Sequence, residues 1–276
     1  TALSSSKRGL IHIPSSIHPG DDFIWTNHPT SELSWYYNYK SMPSKPYEEN
    51  PSLQFVPMLW GSFPSNFDDN PRLTFMREVE HLILAGHNIS HVLGFNEPDG
   101  EWSTGGSNIS PKRAAETWVR EIEPLKDWGI KLGAPAVTGS PRGFAWLEEW
   151  FRELDDNGVA LGRGCNPDFM PVHFYGNFES LASHIGQMMA TYPNMTVWVT
   201  EWGYPNQTLD DTQWFFSTTT NWFDSLESVT HYSYFGAFRS DVSNVGPYSA
   251  MLTEKGKLTD IGSWYLGGEA TNNIPQ

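Results

Sequence analysis

The chain has 276 residues with 17 basic and 32 acidic side chains, a formal net charge of -15, which repels nucleic acid and anionic membranes. A chain of this length buries about three quarters of its extended surface and folds without a metal or a disulfide. Its single cysteine, Cys165, excludes an intrachain disulfide and any CxxC motif.

Arg8 to Ile13 (RGLIHI) reads as a short buried strand ended by Pro14 and the turn-forming Ser15 and Ser16. Ser34 to Tyr39 forms a second, almost wholly aromatic strand with Trp35, Tyr36, Tyr37 and Tyr39, and Asn38 near its end. Gln54 to Trp60 is a third, stopping at Trp60 and Gly61. Pro71 opens a helix whose apolar positions Phe75, Val79, Leu82 and Ile83 keep helical spacing, with Gly86 as its stop. Val92 to Phe95 is the fourth strand. It ends in Asn96 and Glu97, and Pro98 then removes a backbone donor and stops further pairing.

Ser110 followed by Pro111 is an N-cap with proline at the first helical position, and Ala114, Ala115, Trp118, Val119 and Ile122 form one face before Gly129. Ile130 to Val137 is a fifth strand with a tip of small residues, and Phe144 to Leu154 a helix. Phe169 to Tyr175 is the sixth strand, ended by Gly176, with His173 and Tyr175 on one face near its tip. After a helix over Leu181 to Met189, the seventh strand runs from Val197 into Glu201 and is closed by Gly203 and Pro205. Trp214 to Leu226 is helical, Val229 to Phe235 is the eighth strand, and Ile261 to Leu266 is the last helix.

Eight strands alternating with helical crossovers predict an α/β fold, a single (β/α)8 TIM barrel over residues 1–276. A doubly wound open sheet is the alternative, but no glycine-rich phosphate fingerprint follows strand one. In a parallel barrel all strand tips share one face, so Glu97 and Glu201 project into one cleft. The chain also carries 13 Trp, 11 Tyr and 16 Phe. Most of these rings build the core, and some are expected to form platforms for sugar rings. Paired carboxylates in an aromatic cleft suit glycosidic cleavage, in which one protonates the leaving oxygen while the other side of the sugar is attacked. The plainer readings are a loop carboxylate or helix cap for Glu97 and a turn residue for Asn96. The second strand-tip glutamate favours chemistry.

The segments RGLIHI, SWYYNY, FVPMLWG, GFNEPD, LGAPAV, VHFYG and WVTEWG together resemble glycoside hydrolase family 128, within the clan A retaining enzymes, and the resemblance spans about all of the chain. It implies action mainly on β-1,3-glucans. It implies Glu97 as general acid/base, Glu201 as nucleophile, and Asn96 as a donor to the sugar 2-hydroxyl. His173 and Tyr175 match positions that orient nucleophile and substrate. Trp60, Tyr36, Asn38, Trp202 and Tyr204 are candidate sugar contacts at or just past strand tips, with Phe235 at the eighth. Where many clan members carry an arginine after strand two and a tryptophan after strand eight, this chain has Asn38 and Tyr39, then Tyr234 and Phe235.

No cofactor and no metal are expected. The HxxxH pair His87 and His91 flanks the start of strand four, away from the glutamates and without an acidic third ligand. His173 has a plainer alternative as a buried structural histidine. Four sequons, at Asn88, Asn108, Asn194 and Asn206, point to a secreted or cell-wall glycoprotein. A leader removed before Thr1 is compatible with that setting, and no apolar run approaches the roughly 18 residues of a membrane span. The expected activity is a retaining endo-β-1,3-glucanase acting as a monomer on β-glucan oligosaccharide or polysaccharide. The alternatives are an exo mode, a β-1,4-linked substrate, and a glucan-binding protein without turnover.

Overall fold

A computed structural model of the protein describes residues 7–50, 52–62, 74–160 and 164–275. The strands are β1 (Arg8–Ile11), β2 (Trp35–Tyr37), β3 (Gln54–Phe55), β4 (His91–Val92), β5 (Lys131–Leu132), β6 (Phe169–Tyr175), β7 (Thr196–Gly203) and β8 (Val229–Tyr234). The α-helices are α1 (Ile24–Asn27), α2 (Phe75–Leu84), α3 (Pro111–Glu121), α4 (Pro141–Ala160), α5 (Phe178–Thr191), α6 (Leu209–Ser225) and α7 (Asp260–Tyr265). The expected helix start at Pro71 lies outside the described residues. Thr74, Ser110, Asn177, Thr208 and Thr259 each cap a helix by accepting a backbone N–H, as short oxygen-bearing side chains do.

All strand pairs are parallel, in two ladders: β3-β2-β1-β8-β7-β6, and β4-β5. Single bridges, Met58 to Leu93 and Gly133 to Phe169, connect the ladders at both seams. The third, fourth and fifth strands were expected to run over 54–60, 92–95 and 130–137 but shrink to two residues each. Pro57 and Pro135 carry no N–H to donate within those runs. The first two crossovers are also shorter than full helices, being the 3-10 turn Pro19–Phe23 with α1, then the 3-10 turn Lys45–Tyr47.

Alternation along the strands separates two apolar clusters. One face packs under the helices, with Leu10, Tyr36, Phe55, Met170, Val172, Val197 and Val199 meeting helical residues such as Trp118, Leu147 and Phe216. The other holds residues of the strands and of the segments that directly continue β3 and β4: Ile11, Trp35, Tyr37, Val56, Met58, Leu93, Phe169 and Trp198. Each such side chain, fully buried, contributes about 1.5–3 kcal/mol from area removed from water. Gly9 lets this second cluster form, since a Cβ there would overlap the Trp35 indole. Trp198 stacks on His231 at 3.7 Å and on Phe169 at 4.4 Å, filling the end opposite the strand tips. Ionising His231 would strip solvent from its charge, so burial pushes its pKa down to about 3.

Strand β1 is tied to β8 and to α7. Arg8 donates to Tyr232 Oη (3.0 Å) and to the carbonyls of Trp264 and Tyr265, while Tyr265 Oη donates to Gly9 O at 2.6 Å. No helix among the described residues is long and apolar enough to cross a membrane.

Candidate active site

Glu201 owes its direction to an irregularity in β7. Trp198 faces the second cluster and Val199 the helices, so strict alternation would turn residue 201 toward the helices. The register against β6 slips between the pairs Val172–Val199 and His173–Glu201, leaving Thr200 as an extra residue. Such a bulge reverses the side-chain parity beyond it. Glu201 therefore faces the same interior as Trp198, and Trp202 takes the helix side. The Thr200 carbonyl accepts hydrogen bonds from Tyr37 Oη (2.9 Å) and Ser233 Oγ (2.6 Å), which fixes the bulge from the neighbouring β8 and from β2, farther round the sheet.

Glu97 reaches the cleft through backbone strain. Its φ is 40°, a left-handed conformation uncommon for a residue with a Cβ. The loop holds it there: its N–H donates to Ala136 O at 2.7 Å, and its carbonyl accepts from Gly100 N and Ser107 N. Asp99, with no exposed side-chain surface, accepts from Thr138 N (2.9 Å) and from the Thr138 hydroxyl, clamping this loop to the one after β5. Gly106 is needed where the loop doubles back, because a Cβ there would overlap the Gly100 backbone. Asn96 donates through Nδ2 to Gly105 O at 3.0 Å, while its buried Oδ1 has no hydrogen-bond partner among the described residues.

The two carboxylates meet. One oxygen of Glu97, one of Glu201 and a ring nitrogen of His173 all lie within 4.8 Å of one another. Glu201 accepts from Tyr39 Oη on Oε1 (2.6 Å) and from Tyr175 Oη on Oε2 (2.7 Å). His173 Nδ1 lies 3.2 Å from Glu97 Oε1 and 3.6 Å from Glu201 Oε2. Burial by itself would lower the His173 pKa. The charge of Glu201 and the hydrogen bond and charge of Glu97 outweigh it and hold the imidazole above its ordinary value. Tyr39 and Tyr175 are driven far above the ordinary phenol range by burial and by the Glu201 charge, so both stay protonated donors.

Among the described residues, Glu97, His173 and Glu201 are also the one set of three such side chains close enough to share a cation. Glu97 Oε1, His173 Nδ1 and both Glu201 oxygens face one another and the two tyrosines, while the buried His173 Nε2 has no hydrogen-bond partner among the described residues. His91 lies among Trp198, Phe169 and His231, remote from this set.

A cleft of about 530 Å³ opens above the pair. Of the residues predicted from sequence, Glu97, Glu201, Asn96, Trp60, Tyr175 and Phe235 line it, and His173 is wholly buried beneath. Four predicted contacts fall elsewhere. Tyr36 is fully buried on the helix side of β2 against Tyr47 and Phe55, and Trp202 is fully buried among Phe215, Phe216, Phe223 and Tyr234. Asn38 spends its amide on Met42 O and Ser44 Oγ, and Tyr204 packs on Phe215 while the next residue, Pro205, lines the cleft.

Sequence reasoning passed over Tyr39 as a contact, although it sits in the parity of Trp35 and Tyr37. Its φ of 61° then turns the ring tip onto Glu201. Ile13, Thr104, Gly105, Asn244 and Val245 complete the lining from loops that carry no strand-tip signal.

The sequence model of the family described as glycosyl hydrolase catalytic core matches residues 14–265. Among solved structures, the chain is similar to a curdlan-specific exo-β-1,3-glucanase of glycoside hydrolase family 128, subgroup III, from Blastomyces gilchristii in complex with glucose. That match has 25% identity and a TM-score of 0.71, and covers 96% of this chain and 99% of the other. A subgroup II endo-β-1,3-glucanase from Pseudomonas viridiflava is 22% identical, with a TM-score of 0.74 and coverage of 98% and 100%. A subgroup VII oligosaccharide-binding protein from Trichoderma gamsii is 22% identical, with a TM-score of 0.68 and coverage of 95% and 92%. The last two likenesses concern the fold alone. No curated protein matches the chain.

Proposed function

The chain belongs to the glycosyl hydrolase catalytic-core family, with the likeness to glycoside hydrolase family 128 that its motifs carry, and from that premise we propose that it is a retaining endo-β-1,3-glucanase. The observation that carries this reading is the approach of Glu97 and Glu201, an oxygen of each within 4.8 Å. Retaining pairs stand about 5–5.5 Å apart, whereas inverting pairs leave room for a water at roughly 6.5–9.5 Å.

In the proposed reaction Glu97 gives its proton to the glycosidic oxygen as Glu201 attacks the anomeric carbon, forming a glycosyl ester. Water then attacks that carbon, Glu97 takes the water's proton, and Glu201 leaves as carboxylate. Tyr39 and Tyr175 aim the nucleophile by fixing both of its oxygens. His173 Nδ1, 3.2 Å from Glu97 Oε1, holds the acid/base carboxyl in position, and Glu97 regains its proton from the attacking water. Trp60 and Phe235 offer apolar faces to sugar rings, and the second N–H of Asn96 Nδ2 donates to the 2-hydroxyl.

Loss of turnover, with the cleft retained for binding, is the competing reading, since the T. gamsii protein of the same fold is described as oligosaccharide-binding. Both carboxylates and their hydroxyl partners are present here, which favours catalysis. Incubation with laminarin, followed by NMR, tests the proposal: the β anomer should appear first, with oligosaccharides of intermediate length. Release of the α anomer first overturns retention, glucose alone from the outset overturns the endo mode, and binding without turnover overturns the enzyme.

The two ladders and the bridges between them support one closed (β/α)8 ring. Leu93 N donates to Pro57 O at 2.8 Å and Leu59 N to Leu93 O at 3.1 Å at one seam, and Ala134 N to Phe169 O at 3.0 Å and Asp168 N to Leu132 O at 2.7 Å at the other. A secreted or cell-wall setting is supported by the exposure of all four sequon asparagines. Enzymatic deglycosylation of protein made in a yeast host should shift its mobility, and an unshifted band counts against occupancy.

A further inference from the structure

A second pocket of about 260 Å³ lies between the loops that follow β1 and β8, on the strand-tip face. It adjoins the catalytic cleft at two points. Ile13 lines both, and Phe235 of the cleft packs on Phe238 of the pocket at 5.4 Å, ring to ring. The walls are braced rather than loose. Arg239 grips Asp21 through both Nε (2.7 Å) and Nη2 (2.9 Å) and donates from Nη1 to Glu254 O. Asp22 is held by His12 Nε2 at 3.0 Å, and its carbonyl accepts from Tyr47 Oη.

The rim exposes apolar surface that a folded chain ordinarily hides, with Ile13 39%, Ile17 77% and Val242 65% exposed. Beside it stand polar groups: Ser15, Ser16 and the Asp21–Arg239 pair. A pyranose ring has this same duality, an apolar C–H face and an edge of hydroxyls. The volume falls below the roughly 300–1,000 Å³ of pockets for drug-sized ligands, and suits one sugar ring better than a folded partner. Asp21, Asp22 and Asp241 oppose an anionic occupant, since Arg239 is already neutralised by Asp21.

We propose that this pocket is a distal subsite for one glucosyl unit of the glucan chain whose scissile bond lies over Glu97 and Glu201. The inference rests on the glucanase reading of the cleft. It adds that chain-length preference is set at the β1 and β8 loops, across Ile13, and not by the cleft alone.

Ser16→Phe fills the pocket from an exposed loop, and Val242→Asp places a charge in the apolar rim, so neither disturbs the core. The experiment measures kcat/KM for laminari-oligosaccharides of three to seven units, and the affinity of a Glu201→Gln background for the seven-unit chain by calorimetry. The wild-type preference for the longest over the shortest chain should fall about tenfold in each variant, and affinity for the seven-unit chain should fall by a similar factor, a loss of about 1.4 kcal/mol. A chain-length preference and an affinity equal to those of the parent in both variants overturn the subsite. A wild type that turns over no glucan, yet loses affinity in both variants, overturns the glucanase reading and leaves the subsite standing.

Discussion

Tyr39→Phe isolates a single hydroxyl at the nucleophile. The ring keeps its edge-on packing against Tyr37 at 5.1 Å, so the change falls on the hydroxyl, whose 2.6 Å bond goes to Glu201 Oε1 and which also neighbours the Tyr37 hydroxyl. Glu201 Oε2, by contrast, faces both Tyr175 Oη at 2.7 Å and His173 Nδ1 at 3.6 Å. A hydrogen bond to a charged group contributes about 1.5–3 kcal/mol, and a displaced reacting atom costs on the order of 100-fold in rate. The expected outcome is a fall in kcat on laminarihexaose of roughly 10- to 100-fold, with a loss of stability of about 1–3 kcal/mol from the stranded buried oxygen. Tyr175→Phe should cost less, because His173 still faces Oε2. Steady-state rates and chemical denaturation of the two variants decide the matter. A Tyr39→Phe enzyme within twofold of wild type, or one faster than Tyr175→Phe, refutes the assignment of Tyr39 as the main anchor of the nucleophile.

His173 is held above its ordinary value in the fold, so its charge adds stability that is fully present below about pH 6.5, the unfolded value, and is lost as pH rises through the folded value. The melting-temperature gap between wild type and His173→Gln should be widest in acid and close on the alkaline side; a gap constant with pH counts against the charge. Tyr37→Phe or Ser233→Ala removes one of two bonds to the Thr200 carbonyl. Each should cost about 1 kcal/mol of stability and lower kcat with KM little changed, whereas a rise in KM alone would show that the bulge does not aim Glu201. His231, pushed down to about 3 by burial, favours unfolding as pH falls below about 6.5, because the unfolded chain takes the proton first. His231→Phe keeps a ring against Trp198 and should move the acid-unfolding midpoint lower; an unmoved midpoint places the acid sensitivity elsewhere.

The sequence showed the strand tips and not their facing. Hydrophobic runs bounded by Gly and Pro located all eight strands, and Asn-Glu-Pro and Thr-Glu-Trp marked the two that carry carboxylates. Facing depends on parity, and parity is set by pairing partners far along the chain. On β2 the contacts Tyr36 and Asn38 were one position out of phase with Trp35, Tyr37 and Tyr39, the set that shares the interior. On β7 Glu201 faces the cleft only because Thr200 bulges, and no local residue pattern announces that bulge. Trp202 reads as a platform when placed beside a catalytic glutamate, but the same bulge turns it into the helix-side core. The β3 to β5 runs read longer than their ladders because apolar character continues past Phe55, Val92 and Leu132, where pairing is reduced to isolated bridges.

Both glutamates depend on backbone that resists its own conformation. Tyr39, which anchors Glu201, has φ 61°, and Glu97 has φ 40°; each such residue costs about 1–3 kcal/mol. Neither conformation is imposed by one contact. Glu97 is held by Ala136, Gly100 and Ser107 through its backbone and by Asp99 through the Thr138 clamp, and the Tyr39 ring is held by Tyr37 and Glu201. The neighbouring loop therefore fixes the acid/base as firmly as β4 does. Asp99→Asn leaves every group at the reaction centre in place, weakens the clamp, and removes the charge that Asp99 presents to His173 and Arg142. If the clamp sustains the strain, that variant should lose rate in parallel with protection of the 97–107 amides from hydrogen exchange. Lost rate with full amide protection would show that the strained loop is held by its own backbone bonds alone.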